Sequence, residues 1–239
     1  IFLLMGLYLI GKNRFAHDSE LAYLSVPRLM LAIVTFAFVF YLIPGLWGAP
    51  LRAVSSFLPS PATQDFDLNR STPGATLQIS DRGAYVGSSV KEGPHGLMAF
   101  TDYEEGLAAA IKAGKPVFLD FTGLGCANCR KMEANVWSDP QVLQRLGNDF
   151  IKISLFVDDR TALPEDQQFV SSAMGRERTI RTIGQKWSLF QAERYGANTQ
   201  PYYVILDHQE QMLAPAYGYN TSIPAFIEFL DSGLQRFEP

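Results

Sequence analysis

Apolar and polar positions divide the chain into three stretches. Residues 29–47, LMLAIVTFAFVFYLIPGLW, run 19 positions without a charge. As a helix at about 1.5 Å per residue they cover about 28 Å, close to the ~30 Å hydrocarbon core of a bilayer. The alternative is a buried helix of a soluble protein, but such helices rarely stay apolar on every face for so long. Tyr41 and Trp47 near its end suit the headgroup level, and Pro44 loosens only the last turn. Residues 1–11, IFLLMGLYLIG, are apolar but too short to span. The chain opens on Ile, so it is expected to begin inside a transmembrane helix of a longer protein. A signal peptide fits less well, because no basic stretch precedes the apolar run and a longer one follows it. Residues 1–47 are therefore predicted to be transmembrane helices, the end of a larger membrane domain.

Residues 48–98 show weak periodicity and many Pro, Ser, Gly and Thr residues. They read as a linker, with ATLQIS as one short strand. From residue 99 the pattern becomes regular. Residues 101–116 form a helix with Thr101 or Asp102 as N-cap and a stop at Gly114 and Pro116. VFLDF, 117–121, is a buried-type strand. A helix runs from about Cys126 to Val136, and a second short one is capped by Ser138 or Asp139. FIKISLFV, 150–157, is a strand. Residues 158–185 are polar and irregular, an insertion. WSLFQAERYG is a helix ended by Gly196. Strands at 201–207 and 211–218 flank a turn at His208–Glu210, and SIPAFIEFLDSGLQRF closes the chain as an amphipathic helix. Strands alternating with helices imply parallel pairing, and the close final pair implies an antiparallel hairpin. Residues 99–239 are thus predicted to be an α/β domain of thioredoxin-like fold, a central mixed sheet flanked by helices.

Composition narrows the possibilities. With 47% hydrophobic and 18% charged residues and a formal net charge of −4, the chain is globular and has no basic excess to suit nucleic acid. Lys12, Arg14 and Arg28 lie between the two apolar runs, and only Arg52 lies close beyond Trp47. Basic residues concentrate on the cytoplasmic side. The α/β domain is therefore expected across the membrane, in the periplasm of a bacterium.

The only two cysteines of the sequence, Cys126 and Cys129, sit where a strand gives way to a helix. Residues three apart share a helix face. Unpaired N–H groups at the helix start favour a thiolate at the first, while the second lies one turn in and is more shielded. An exposed attacking thiol and a shielded resolving thiol suit disulfide exchange. Structural zinc would need about four ligands, and His17, His95 and His208 are scattered. Haem attachment would need His where Arg130 stands. A purely structural disulfide would constrain little in so short a loop. A copper shuttle using two thiolates remains an alternative. Asp120 is a carboxylate in a buried-type strand, costly unless it has a purpose or sits at a solvated end. Glu133 shares the helix face of both cysteines, or is an ordinary surface residue. Pro201, after Gln200, is either a cis proline that exposes backbone to an extended substrate or a trans proline opening an edge strand.

VFLDFTGLGCANCRKMEANVWSDPQV, followed by NTQPYYVILD, resembles the C-terminal thioredoxin-like domain of DsbD-type transmembrane thiol:disulfide interchange proteins. The upstream PRLMLAIVTFAFVFYLIPGLWGAP resembles the last helix of their electron-carrying membrane domain. The resemblance implies a protein-disulfide reductase with no cofactor beyond the Cys126–Cys129 pair. Its donor would be the transmembrane domain of the same longer protein. Its acceptors would be periplasmic disulfide-bearing proteins, such as disulfide isomerases or proteins of cytochrome c maturation. It also implies that Asp120 and Glu133 tune the cysteines and move protons, and that Gln200 and Pro201 shape the substrate groove. A thiol oxidase or isomerase, or a copper-handling or chaperone-like module, is the alternative. The sequence departs from the family in its 158–185 insertion and in lacking the N-terminal acceptor-binding domain.

Overall fold

The computed structural model describes residues 1–16, 18, 23–47, 51, 54, 82–172 and 177–238. The chain separates into two units, the first holding residues 1–51 and the second including 72–239. In the first unit, α1 (Phe2–Leu9) and α2 (Val26–Leu42) pack together. Gly6 permits a close crossing, since a Cβ there would sit 2.9 Å from the Phe36 ring. Arg28 turns back onto the end of α1, donating to the Leu9 and Tyr8 carbonyls at 2.7 and 3.0 Å. The Tyr8 carbonyl also accepts the Gly11 N–H at 2.9 Å in the turn that ends the helix, and the guanidinium complements the helix dipole. With the 3₁₀ turns that follow, Val26–Leu46 is the one helix among the described residues long and apolar enough to cross a membrane.

The second unit is built on a five-stranded sheet of order β1-β2-β4-β3-β7. These strands are β1 (Val90–Glu92), β2 (Met98–Phe100), β3 (Val117–Thr122), β4 (Ile151–Phe156) and β7 (Tyr202–Leu206). β2, β4 and β3 run parallel, while β1 and β7 run antiparallel to their neighbours. Helices α3 (Tyr103–Ala113), α5 (Pro140–Asn148), α6 (Ile183–Tyr195) and α7 (Ile223–Arg236) cover the two faces, with the shorter α4 (Ala127–Met132) between β3 and α5. Asp102, Asp139, Thr182 and Ser222 each accept a backbone N–H of the helix they open. Gly114 and Gly196, at φ near +60°, end α3 and α6 in the left-handed conformation that glycine adopts without penalty.

The period of two along the strands sorts the core. Val117, Leu119, Phe121, Ile151, Ile153, Leu155, Val204 and Leu206 face one side and pack with Tyr103, Leu107 and Trp187. Phe118, Phe150, Tyr203 and Ile205 face the other, against Met132, Val136, Trp137, Phe226 and Leu230. The same alternation sends Asp120, Lys152 and Ser154 to the second side, into the layer beneath α4.

Several boundaries differ from the sequence reading. The part of the expected linker that the structure describes, 82–98, belongs to the sheet unit: β1 and the start of β2 lie there. Ahead of them Tyr85 stacks on Phe100 and its hydroxyl accepts the Lys152 N–H at 2.9 Å. The strand read at ATLQIS lies outside the described residues. Within the expected insertion, β5 (Phe169–Ser171) and β6 (Arg178–Ile180) form a separate antiparallel pair, and α6 starts four residues before the expected Trp187. The expected strand 211–218 does not form as regular structure. Leu213, Tyr217 and Asp207 still exchange backbone hydrogen bonds across the β7 edge, but only isolated bridges at Met212 and Tyr217 result. Pro215 between them has no N–H to donate, which interrupts the ladder.

Candidate functional site

β3 ends at Thr122, and the loop 123–125 delivers Cys126 to the start of α4. Cys126 is the N-cap: its Sγ accepts the Cys129 N–H at 3.1 Å. The two cysteines are joined as a disulfide, Cα to Cα 5.2 Å. Cys126 is half-buried, Ala127 and Asn128 are exposed, and Cys129 is 1% exposed. One sulfur is thus open to a partner and the other is shielded.

Below them lies a group of buried charges. Asp120 accepts the Ser154 hydroxyl at 3.1 Å, and the Lys152 ammonium stands 4.0 Å from the same oxygen. Lys152 Nζ also lies 4.0 Å over the Trp137 ring, an attraction to the ring's negative face. Arg130 reaches Glu133 at 2.7 Å, an ion pair without the alignment of a good hydrogen bond, and its second Nη contacts Thr122 Oγ1 and the Gly123 carbonyl at 3.4 Å. Burial pushes the Asp120 carboxyl up, with Lys152, the Ser154 hydroxyl and Arg130 pulling it back. Burial likewise pushes Glu133 up to about 7, against the pull of Arg130 and Lys152. Lys152 is held below the ordinary lysine range by burial, despite Asp120 and Glu133. After Met132 the helix widens into a π turn, Glu133–Trp137, and His95 from the β1–β2 loop meets the Glu133 carbonyl at 2.8 Å.

The register places Tyr202, the residue after Pro201, opposite Phe121 near the end of β3. Gln200 and Pro201 therefore lie at the same end of the sheet as the cysteine loop. The Gln200–Pro201 bond is cis. Gln200 donates to Gln191 Oε1 at 3.1 Å, and the fully buried Gln191 donates to the Thr199 carbonyl at 2.9 Å.

The structure thus sets Asp120 and Glu133 on the layer that also holds Cys129, with Gln200 and Pro201 at the sheet end where Cys126 emerges. It adds residues that the sequence reading passed over. Arg130 and Lys152 turn two acids into a set with no net charge when all four are ionised. Arg130 was findable: it lies four residues after Cys126 and three before Glu133, on their shared face. Lys152 carried no such mark, since a single lysine in a strand ordinarily points to solvent. Among the described residues no group of three or more His, Cys, Asp or Glu side chains gathers that could hold a metal ion.

A mixed sheet of this order between helices, with a CxxC disulfide at the start of the helix after β3, defines a thioredoxin-like thiol–disulfide oxidoreductase fold, in which the thiols themselves carry the electrons. Residues 98–179, about a third of the chain, match the family model described as thioredoxin-like. Among solved structures, one titled "DsbH Oxidoreductase" aligns at 20% identity over 70% of this chain and 98% of that one, with a TM-score of 0.44. A thioredoxin from Thermus thermophilus, solved in solution, aligns at 26% identity over 54% of this chain and 81% of its own, with a TM-score of 0.38. No curated protein matches the chain.

Proposed function

We propose that the chain is the terminal part of a membrane-tethered thiol:disulfide reductase. Electrons arrive from the transmembrane donor domain of the same longer protein and reduce the Cys126–Cys129 disulfide. The dithiol then passes them to disulfide-bearing proteins in the bacterial periplasm. The observation that carries this reading is the asymmetric cysteine pair, one sulfur half-exposed at a helix start and one buried, above two buried carboxylates. The apolar span at Val26–Leu46 supports the tether, and the excess of Lys12, Arg14 and Arg28 over Arg52 supports the side of the membrane. The direction of transfer, the DsbD-type membrane partner and acceptors such as disulfide isomerases or cytochrome c maturation proteins rest on the sequence resemblance. In this reading Asp120 and Glu133 tune the thiols and handle their protons, while Gln200 and Pro201 border the groove for the partner's backbone.

The deciding measurement is the midpoint potential of the whole chain in detergent, equilibrated with graded dithiothreitol buffers. A reductase should lie near the about −270 mV of thioredoxin. A midpoint above about −180 mV, the range of isomerases and oxidases, would reverse the proposed direction of transfer.

A further inference from the structure

Only Gly123, Leu124 and Gly125 separate β3 from Cys126. Two glycines in three residues give such a loop little preferred shape of its own. Its shape comes from elsewhere. The Leu124 N–H donates to Asp158 Oδ1 at 2.7 Å, and the Gly125 N–H donates to Asp158 Oδ2 at 2.8 Å. One carboxylate, two residues beyond β4, thus grips two successive amides with charge-assisted bonds, stronger than neutral ones. The fit is close: a Cβ on Gly123 would lie 3.0 to 3.2 Å from the Asp158 carboxylate atoms.

The clamp is itself anchored on both sides. The Val157 N–H donates to the Thr122 carbonyl at 2.9 Å, which carries the β3–β4 pairing up to the loop. The Asp159 carbonyl accepts the Gly184 N–H at 2.9 Å in the first turn of α6. A Cβ on Gly184 would meet Asp159 and Val157 backbone atoms at 2.6 to 2.7 Å, so the two segments touch backbone to backbone. The held loop presents an apolar side chain to solvent: Leu124 is 58% exposed, two residues before the half-exposed Cys126.

We propose that Asp158 is a positioning residue for dithiol exchange, fixing the 123–125 loop so that Cys126 meets a docked protein disulfide in line and Leu124 contacts the partner beside it. The inference rests on the dithiol reading above. In that reaction the Cys126 thiolate attacks one partner sulfur. A Cys126–partner S–S bond forms as the partner's own S–S bond breaks, and the released sulfur takes up a proton. The Cys129 thiolate then attacks Cys126, closes the ring and frees the second partner thiol, so two electrons have passed to the partner. Asp158 touches none of these atoms and acts through the loop alone. Small displacements of an attacking group weigh heavily on rate.

The test uses the whole chain in detergent, reduced and desalted, against insulin as a protein disulfide and 5,5′-dithiobis(2-nitrobenzoate) as a small one. Asp158→Ala should slow reduction of insulin by about tenfold while changing the reaction with the small disulfide less than about twofold, because a small reagent follows the sulfur wherever the loop carries it. Asp158→Asn keeps one acceptor oxygen and should fall between. Gly123→Ala pushes on the same carboxylate, so the Gly123→Ala/Asp158→Ala pair should be no slower than the slower single variant. Wild-type rates in both Asp158 variants would overturn the proposal. Equal slowing toward both disulfides, or independent addition of the Gly123 and Asp158 effects, would overturn it too. A wild-type chain inert to insulin would sink the dithiol reading itself, a result distinct from an active wild type with unaffected Asp158 variants.

Discussion

Cys126→Ser is expected to bring insulin reduction by the chain down to the level of a protein-free control, while Cys129→Ser strands partners as mixed disulfides. The two sulfurs share a helix turn but not an environment. Cys126 is half-exposed at the N-cap of α4, where free N–H groups and the helix dipole favour the thiolate. Cys129, 1% exposed, reaches only the Cys126 sulfur, once a partner is bonded to it. Without Cys129 the first attack proceeds and the second cannot, so the adduct persists. Without Cys126 no first attack takes place. Each variant, expressed in cells that are quenched with acid, is to be examined by non-reducing gels and mass spectrometry. Adducts should be abundant with Cys129→Ser and rare with Cys126→Ser. Equal trapping by the two variants would remove the assignment of roles.

The second large effect concerns the buried charges. Asp120→Ala leaves Lys152, 2% exposed, without its nearest carboxylate, and breaking a buried pair from one side costs about 3–5 kcal/mol. Adding Lys152→Met should recover most of that loss, because the second change removes the stranded cation and fills its place beside Trp137. Urea unfolding of the single and double variants measures both terms, and a double variant no more stable than Asp120→Ala would refute the pairing. Glu133 adds a pH signature. Its carboxyl is raised from an ordinary 4.5 to about 7, chiefly by burial. Between those values the folded state keeps a proton that the unfolded chain releases, so stability falls as pH rises through the window. Glu133→Gln has no such proton. The wild type should therefore lose stability relative to this variant from pH 4.5 to 7, with little further change above, and a constant difference across that range would show that Glu133 is not raised.

What the sequence disclosed was mainly local. The caps at Asp102 and Asp139, the stops at Gly114 and Gly196 and the buried run of β3 depend on neighbours in the chain, and each stands within a few residues of its expected place. The cysteine pair was legible for the same reason, since i and i+3 at a strand-to-helix junction need no long-range information. What stayed hidden depended on distant partners. β1 and β2 are three residues each in a Gly- and Pro-containing stretch, and only the pairing of β1 with β2 and of β2 with β4 makes them strands. Lys152 looked like any strand lysine until period two, counted from the buried Phe150, turned it inward. Asp158 lay in a polar stretch read as insertion, and its role appears only when the loop before Cys126, 33 and 34 positions earlier, comes to meet it.

The Tyr85 hydroxyl has a practical consequence. β2 reaches β4 through a single residue pair, Phe100 with Ile153, so the neighbouring Lys152 N–H finds its acceptor in Tyr85 instead. A soluble fragment begun at residue 99, where the composition changes, would shed that acceptor along with β1. It would leave β2 and part of β4 as a bare, hydrogen-bond-hungry margin, the kind of surface on which strands of separate molecules recruit one another. A fragment begun at residue 82 keeps Tyr85 stacked on Phe100 and keeps Lys91 and Glu92 on the outermost strand, where exposed charges discourage such recruitment.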